Sequence, residues 1–265
     1  MDEPIVMASG RTADVLALDE HHVLKLFHAT VSEQSIQDEF AIGERVVQLG
    51  IACPSPVRIT EHGGRQGIIY TRVSGDTLLN RMLKRLWRLN IEAAELARIH
   101  LPIHQQTVSN MPKQKQRLMT DIEQAPLLSA QEKLTVKAHL LQLKDDNKLC
   151  HGDYHPGNVI VHGQQEWIID WMTGTEGNPA GDVARTFLIL KYGRLNDKPL
   201  RFLSGIASRL RIQIANKYRE AYVNHSDLSH TEIEDWMMPV AAARLVERIP
   251  DAEKQALIEF IRQRL

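Results

Sequence analysis

An octapeptide dense in reactive side chains, His151-Gly152-Asp153-Tyr154-His155-Pro156-Gly157-Asn158, is followed twelve residues after its asparagine by Asp170 in Ile168-Ile169-Asp170-Trp171. An acid, an amide and a second acid are thereby set at fixed intervals around short apolar strands. Phosphoryl transfer from a nucleotide needs such a set. One carboxylate takes the proton of the attacking hydroxyl, while an amide oxygen and another carboxylate hold Mg²⁺ on the phosphates. Oxygen donors of this kind suit that hard cation.

The spacing H-x-D-x4-N, then Asp after an apolar run, resembles the catalytic loop and metal-binding Asp of protein kinases. Two details depart from it: Gly152 stands where those kinases have Arg, and Trp171-Met172 replaces Phe-Gly. With Gly152, His155 and Trp171 included, the stretch closely resembles the aminoglycoside phosphotransferase and choline kinase-like family, small-molecule kinases on a protein-kinase-like fold. The resemblance runs from Gly10 to about Arg185. It implies an α+β, bilobal, protein-kinase-like fold: an N-terminal antiparallel or mixed β-sheet lobe with one helix, and a larger, mainly helical C-terminal lobe. The lobes are expected at residues 1–75, with the hinge at about 70–75, and 76–265, with the catalytic loop at 149–172. Asp153 is then the base, Asn158 and Asp170 the Mg²⁺ ligands, and His151 a brace for the loop. Asp182, in Gly177-Asn178-Pro179-Ala180-Gly181-Asp182, would start a helix and hold the loop's backbone.

Upstream, Ile5 to Ser9, Ala13 to Leu18 and Val23 to Phe27 alternate like short strands. Ser32 to Leu49 has helical apolar spacing with Ser32 as N-cap. Strands return near Val57 to Glu61 and Gln66 to Arg72, joined by a turn at His62-Gly63-Gly64. Lys25, a charge inside an apolar strand, is ordinarily just a solvated lysine, but the resemblance gives it the α- and β-phosphates. Glu39 in the next helix is its expected partner and Glu44 the fallback. Ser9 and Gly10 lie where a phosphate-covering turn belongs, although one glycine alone marks only a hairpin. At Tyr70-Thr71-Arg72-Val73, the backbone of Thr71 and Val73 would meet an adenine base, between apolar walls from Val23 and Ile160.

From Asp76 onward helices dominate, at about 77–89, 91–100, 112–124, 129–144, 179–192, 199–223, 231–248 and 251–264. Arg81, Lys84, Arg85 and Arg88 share one helix face and read as solvated; Leu83, Leu86 and Leu89 read as core, with Trp87 packed. Substrate choice is expected in the C-terminal helices. The carboxylates there (Asp197, Glu220, Asp227, Glu232, Glu234, Asp235) show no pocket spacing, nor do Trp171, Tyr192, Phe202, Tyr218, Tyr222 and Trp236 form an evident aromatic cage.

The formal net charge of −1 argues against a nucleic-acid binder. Cys53 and Cys150 read as reduced thiols. No apolar run approaches a membrane span, and Met1-Asp2-Glu3 does not open a signal peptide, so a cytoplasmic location is expected. The expectation is a phosphotransferase that moves the γ-phosphate of ATP or GTP, with Mg²⁺, to a hydroxyl of a small molecule such as an aminoglycoside, sugar or amino alcohol. Its partners are that substrate and the nucleotide, with no nucleic acid and no membrane. Two rivals are a nucleotide-binding regulator without turnover and a metal-dependent hydrolase using His151, His155 and His162.

Overall fold

A computed structural model describes residues 5–193 and 204–265, the side chains of 204–207 excepted. In chain order its elements are β1 (Ile5–Ser9), β2 (Ala13–Ala17), β3 (His22–Phe27), α1 (Glu33–Gln48), β4 (Pro56–His62), β5 (Arg65–Thr71), β6 (Asp76–Thr77), α2 (Leu78–Lys84), α3 (Leu89–Gln105), α4 (Gln114–Gln124) and α5 (Ala130–Gln142). Then come β7 (Lys148–Cys150), β8 (Val159–His162), β9 (Gln165–Ile168), β10 (Thr175–Gly177), α6 (Pro179–Tyr192), α7 (Ser204–Val223), α8 (His230–Ala243) and α9 (Asp251–Arg262). The class is α+β, as the sequence implies. Contacts divide the chain into two compact units: residues up to Arg81 with Pro156–Gly174, and Met82–His155 with Thr175–Leu265.

The first unit holds a five-stranded antiparallel sheet, ordered β1-β2-β3-β5-β4, and a three-stranded sheet, β6-β8-β9. The alternation of β2, β3 and β5 sends Leu16, Leu24, Leu26 and Ile69 to one face of the large sheet. Ala13, Phe27 and Ile68 go to the other, where they meet Ile36 of α1. Each large apolar side chain buried this way contributes roughly 1.5–3 kcal/mol. Ser32 caps α1 by accepting the N–H of Ser35. Gly75 lies at φ +148°, and a Cβ there would fall 2.6 Å from the carbonyl oxygen of Val161, so the chain needs glycine to pass β8.

Residues 156–174 are counted here and not, as expected, with the helical part. The reason lies in their bonds. β8 pairs with β6, Ile168 donates its N–H to the carbonyl of Ala52 at 2.9 Å, and Met172 joins the Phe27–Ile36 cluster.

The second unit is helical apart from β7 and β10, which pair antiparallel. Ser129 and Ser229 open α5 and α8 with reciprocal capping boxes to Glu132 and Glu232. Two helix limits differ from expectation. α3 runs on to Gln105, five residues beyond His100. The single helix expected over 77–89 breaks at Arg85 (φ −134°, ψ 56°) into α2 and a short 3-10 turn, Leu86–Arg88. The apolar stripe therefore does not continue. Leu89 is buried, but Leu83 and Leu86 are exposed and Trp87 is 81% exposed, which corrects their reading as core.

Asp197, Phe202 and residues 199–203 of the expected helix lie outside the described residues. Cys53 and Cys150 are both free, and burial pushes the Cys53 thiol up to about 12. Among the described residues no helix is long and apolar enough to cross a membrane.

Candidate active site

In the sheet unit, Lys25 points from β3 to two carboxylates. Its Nζ donates to Glu39 Oε1 at 2.6 Å and to Asp170 Oδ1 at 2.8 Å. Glu39 is the one charged residue in the buried stripe of α1, between Ile36 and Ile42. Glu44 is exposed, so the fallback partner faces away. The Tyr70 hydroxyl donates to Glu39 Oε1 at 2.9 Å, and Glu39 Oε2 is buried with no partner. Burial works against the Lys25 charge, but the Asp170 and Glu39 carboxylates outweigh it and raise its pKa, so the ammonium persists. Two acids share one base, and burial together with the Asp170 charge pushes the Glu39 carboxyl up.

Asp170 reaches this cluster through the β8–β9 hairpin. Val159 pairs with Ile168, and the N–H of Ile169 donates to the Asn158 carbonyl at 3.0 Å, so the hairpin closes with Asn158 and Asp170 at its two ends. Asp170 itself is left-handed (φ 66°, ψ 63°), a conformation that costs a non-glycine residue of order 1 kcal/mol and is tolerated best by Asp and Asn. Trp171 fixes the turn by donating its indole N–H to the Ile168 carbonyl at 3.1 Å.

The expected nucleotide-edge residues are distributed as follows. Ser9 and Gly10 form the exposed turn between β1 and β2, with the Gly10 N–H on the Ala13 carbonyl at 2.8 Å. The Ser9 hydroxyl donates to Asp14 at 2.6 Å, and Arg65 holds the other Asp14 oxygen at 2.8 Å. Val23 and Ile160 are half-buried. The N–H of Thr71 is taken by the Ser55 carbonyl at 2.9 Å and its hydroxyl by the Ser55 N–H at 2.8 Å. Val73 makes no such bond among the described residues, which leaves its backbone as the free part of this edge.

In the helical unit, Asp153 sits after a braced turn. Gly152 has φ +77°, which is why glycine stands there. Asp182, at the start of α6, accepts the N–H of His151 (2.6 Å) on Oδ2 and that of Gly152 (2.8 Å) on Oδ1. The Asp153 N–H donates to His151 Nδ1 at 3.1 Å, which places the histidine's proton on Nε2. Arg185 Nη2 and His155 Nε2 each lie 3.7 Å from an Asp153 carboxylate oxygen.

Behind this turn lies a group that the sequence reading missed. His100 and His104 direct Nε2 to Asp182 Oδ2 at 3.2 and 3.1 Å, and their Nδ1 atoms meet the Tyr218 and Tyr222 hydroxyls at 2.7 and 2.6 Å. The Tyr154 ring stacks on His100 with centroids 3.8 Å apart. Burial, then the neighbouring His104, lowers His100 to about 3, so it is neutral and its Nε2–H donates to Asp182. Those bonds hold the Asp182 carboxyl well below the usual range against the penalty of burial. The signal was available: His100 and His104, like Tyr218 and Tyr222, are spaced i, i+4, one face of a helix.

The histidines of the hydrolase alternative differ in exposure. His151 is buried, His155 half-buried and His162 exposed, and the group among the described residues whose atoms lie close enough to share a metal ion is His100, His104 and Asp182, which here bond one another. Three of the C-terminal carboxylates are engaged: Glu220 pairs with Lys217, Glu232 caps α8, and Glu234 pairs with Arg219 and Arg264.

The sequence profile of the phosphotransferase enzyme family (APH) matches residues 6–201. Among solved structures, an amicoumacin kinase, hAmiN, in complex with AMP-PNP, Ca²⁺ and Ami is 17% identical, with TM-score 0.62 and coverage of 98% of this chain and 87% of that one. A thermostable mutant of aminoglycoside phosphotransferase APH(4)-Ia is 14% identical, with TM-score 0.67 and coverage of 99% and 94%. Choline kinase from Cryptosporidium parvum Iowa II is 11% identical, with TM-score 0.62 and coverage of 99% and 88%. No curated protein matches in sequence.

Proposed function

Because this chain belongs to the phosphotransferase enzyme family, we propose that it moves the γ-phosphate of ATP or GTP, with Mg²⁺, to a hydroxyl of a small molecule. The observation that carries the reading is Lys25 held between Glu39 and Asp170. A lysine pinned by a helix carboxylate is what the α- and β-phosphates require, and the acid-rich cluster has room for further positive charge. Asp170, 38% exposed, and the Asn158 amide oxygen fit a hard divalent cation, which when bound would neutralise phosphate charge. Val73 would present its free backbone to the base, and the Ser9–Gly10 turn would cover the phosphates.

Asp153 is the acceptor-side residue, five positions before Asn158 in one loop. Its carboxylate orients the acceptor hydroxyl and takes its proton as the new P–O bond forms. The bond from the γ-phosphorus to the bridging oxygen breaks, and nucleoside diphosphate leaves. His151 and Asp182 act by holding the turn that aims Asp153. The first similar structure holds a nucleotide analogue with Ca²⁺, and others in the comparison are kinases of aminoglycosides or choline, which supports nucleotide, divalent metal and a small hydroxylated acceptor.

The test is transfer of label from [γ-³²P]ATP and GTP, with Mg²⁺, to a broad panel of hydroxylated metabolites. A labelled acceptor made by wild type and absent with Asp153→Asn is expected. Tight nucleotide binding with no labelled product from any acceptor would favour a regulator instead.

A further inference from the structure

Near the start of the helical unit, residues 83–88 are exposed without interruption. Leu83, Leu86 and Ile91 are each more than half exposed, and Trp87 is the most exposed large apolar side chain among the described residues. A single leucine facing water needs no explanation, but four large apolar side chains this close in sequence form a patch that marks contact with another surface. The break at Arg85 produces it. The 3-10 turn that follows runs directly into α3, so Trp87 stands three and four residues before Asn90 and Ile91, on one face. Asn90 Oδ1 accepts from Gln213 Nε2 at 2.8 Å and shares a shallow cleft with Arg209 and Ile212, both exposed. The surface therefore spans α3 and α7 and is not confined to one turn.

Its charge says what covers it. Lys84, Arg85 and Arg88 lie in this stretch, and no acid occurs between Asp76 and Glu92, in a chain whose formal net charge is −1. The acids of α3 and α7 do not offset these bases: Glu92 is buried, Glu95 pairs with Arg98 at 2.9 Å, and Glu220 pairs with Lys217 at 3.2 Å. Arg85, Arg88 and Arg209 make no side-chain hydrogen bond or ion pair among the described residues. Apolar side chains that include a tryptophan, rimmed by arginine and lysine, complement a layer of anionic phosphates lying over hydrocarbon. Successive exposed residues on a turn suit such a soft surface, because a bilayer asks for no matching shape and a protein groove does.

We propose that this face docks the protein on an anionic lipid bilayer. Leu83, Leu86, Trp87 and Ile91 enter the headgroup boundary, and Lys84, Arg85, Arg88 and Arg209 meet lipid phosphates. Docking of this kind needs no spanning segment, so it departs from the expectation of no membrane while agreeing with the lack of a membrane-crossing helix among the described residues. It goes beyond the phosphotransferase reading and does not rest on it.

Co-sedimentation of the full chain with vesicles tests the proposal, using phosphatidylglycerol mixed into phosphatidylcholine against phosphatidylcholine alone. Wild type should bind the anionic vesicles at least tenfold more tightly than the neutral ones and lose affinity as salt is raised. Its tryptophan emission should shift to the blue, a signal that belongs to Trp87 because Trp171 and Trp236 are already buried. Each basic side chain removed near an anionic surface weakens binding about fivefold, so Arg85→Gln combined with Arg88→Gln should bind about 25-fold more weakly. Trp87→Ser should bind at least tenfold more weakly and show no blue shift. Both variants should keep the wild-type melting temperature, since the side chains they alter face water. Equal binding to neutral and anionic vesicles, or variants that bind like wild type, overturns the proposal. Absence of vesicle binding overturns it too. In that case a wild-type mass at sedimentation equilibrium twice that of Trp87→Ser gives the face to a second copy, and binding of polyglutamate that both variants lose gives it to an acidic protein.

Discussion

The Lys25 cluster of the sheet unit and the Asp182 cluster of the helical unit are built from the same materials, yet they are finished differently. Asp182 receives two backbone N–H groups and two imidazole N–H groups, and each imidazole is closed on its far side by a tyrosine hydroxyl. All of these side chains are buried. Around Lys25, one ammonium serves two carboxylates, one Glu39 oxygen has no partner, and Asp170 is 38% exposed on a strained backbone. A buried polar network that is satisfied rigidifies a structure, whereas one left open marks where a ligand completes it. The Asp182 cluster is closed around a loop, and the Lys25 cluster is left with an open oxygen and an exposed acid.

The comparison can be broken most forcefully at the two aspartates. Asp182→Ala leaves two backbone N–H groups and two imidazoles facing a buried void, and unfolding free energy should drop by about 3–5 kcal/mol, read by urea denaturation. An unchanged melting temperature would remove Asp182 from its role. Asp170→Asn should do the reverse. Asn tolerates the left-handed backbone, so the fold should stay within about 1 kcal/mol, while phosphoryl transfer falls on the order of 10³-fold, near 4 kcal/mol of transition-state stabilisation. Acid sharpens the contrast. His100 is neutral in the fold down to about pH 3, whereas an unfolded histidine takes up a proton near pH 6.5. Its folded pKa is depressed, so the unfolded state binds the extra proton: stability is full above about 6.5 and falls by about 1.4 kcal/mol per pH unit below it. Wild type should lose about 0.7 kcal/mol more than His100→Gln from pH 7 to 6 and close to 1.4 more from pH 6 to 5, and parallel slopes would contradict the assignment. The smallest effects come from Tyr→Phe at 222 and 70. Each removes one hydroxyl bond worth about 1 kcal/mol, but Tyr222→Phe should lower stability, while Tyr70→Phe should show mainly in nucleotide affinity.

Much of the sheet unit was legible because its signals are local. Alternation in Ala13–Ala17 and His22–Phe27, the Ser32 cap and the glycine turn follow from neighbours a few residues apart. The helix period separates Glu39 from Glu44: five residues rotate the side chain about 140° past full turns, from the packed face to the exposed one. The group of histidines and tyrosines was legible only as two i, i+4 pairs, not as one assembly. His100 and Tyr218 lie 118 residues apart, and the expected end of α3 at His100 concealed the second histidine of the pair. Trp87 misled for a related reason, since a break at Arg85 turns an apolar stripe outward without any glycine or proline to announce it. The Arg185 guanidinium 3.7 Å from Asp153 comes from α6, and only the fold brings it there.

The most direct test of the central claim is calorimetric titration of ATP and ADP, with and without Mg²⁺, into wild type, Asp170→Asn and Asp153→Asn. If Lys25, Glu39, Asn158 and Asp170 form the metal–nucleotide site, wild type binds far better with Mg²⁺ and Asp170→Asn loses that gain. Asp153→Asn, altered on the acceptor side, keeps the wild-type affinity within about threefold, roughly 0.7 kcal/mol. Nucleotide binding that ignores Mg²⁺, or a Mg²⁺ gain that survives Asp170→Asn, would contradict the account.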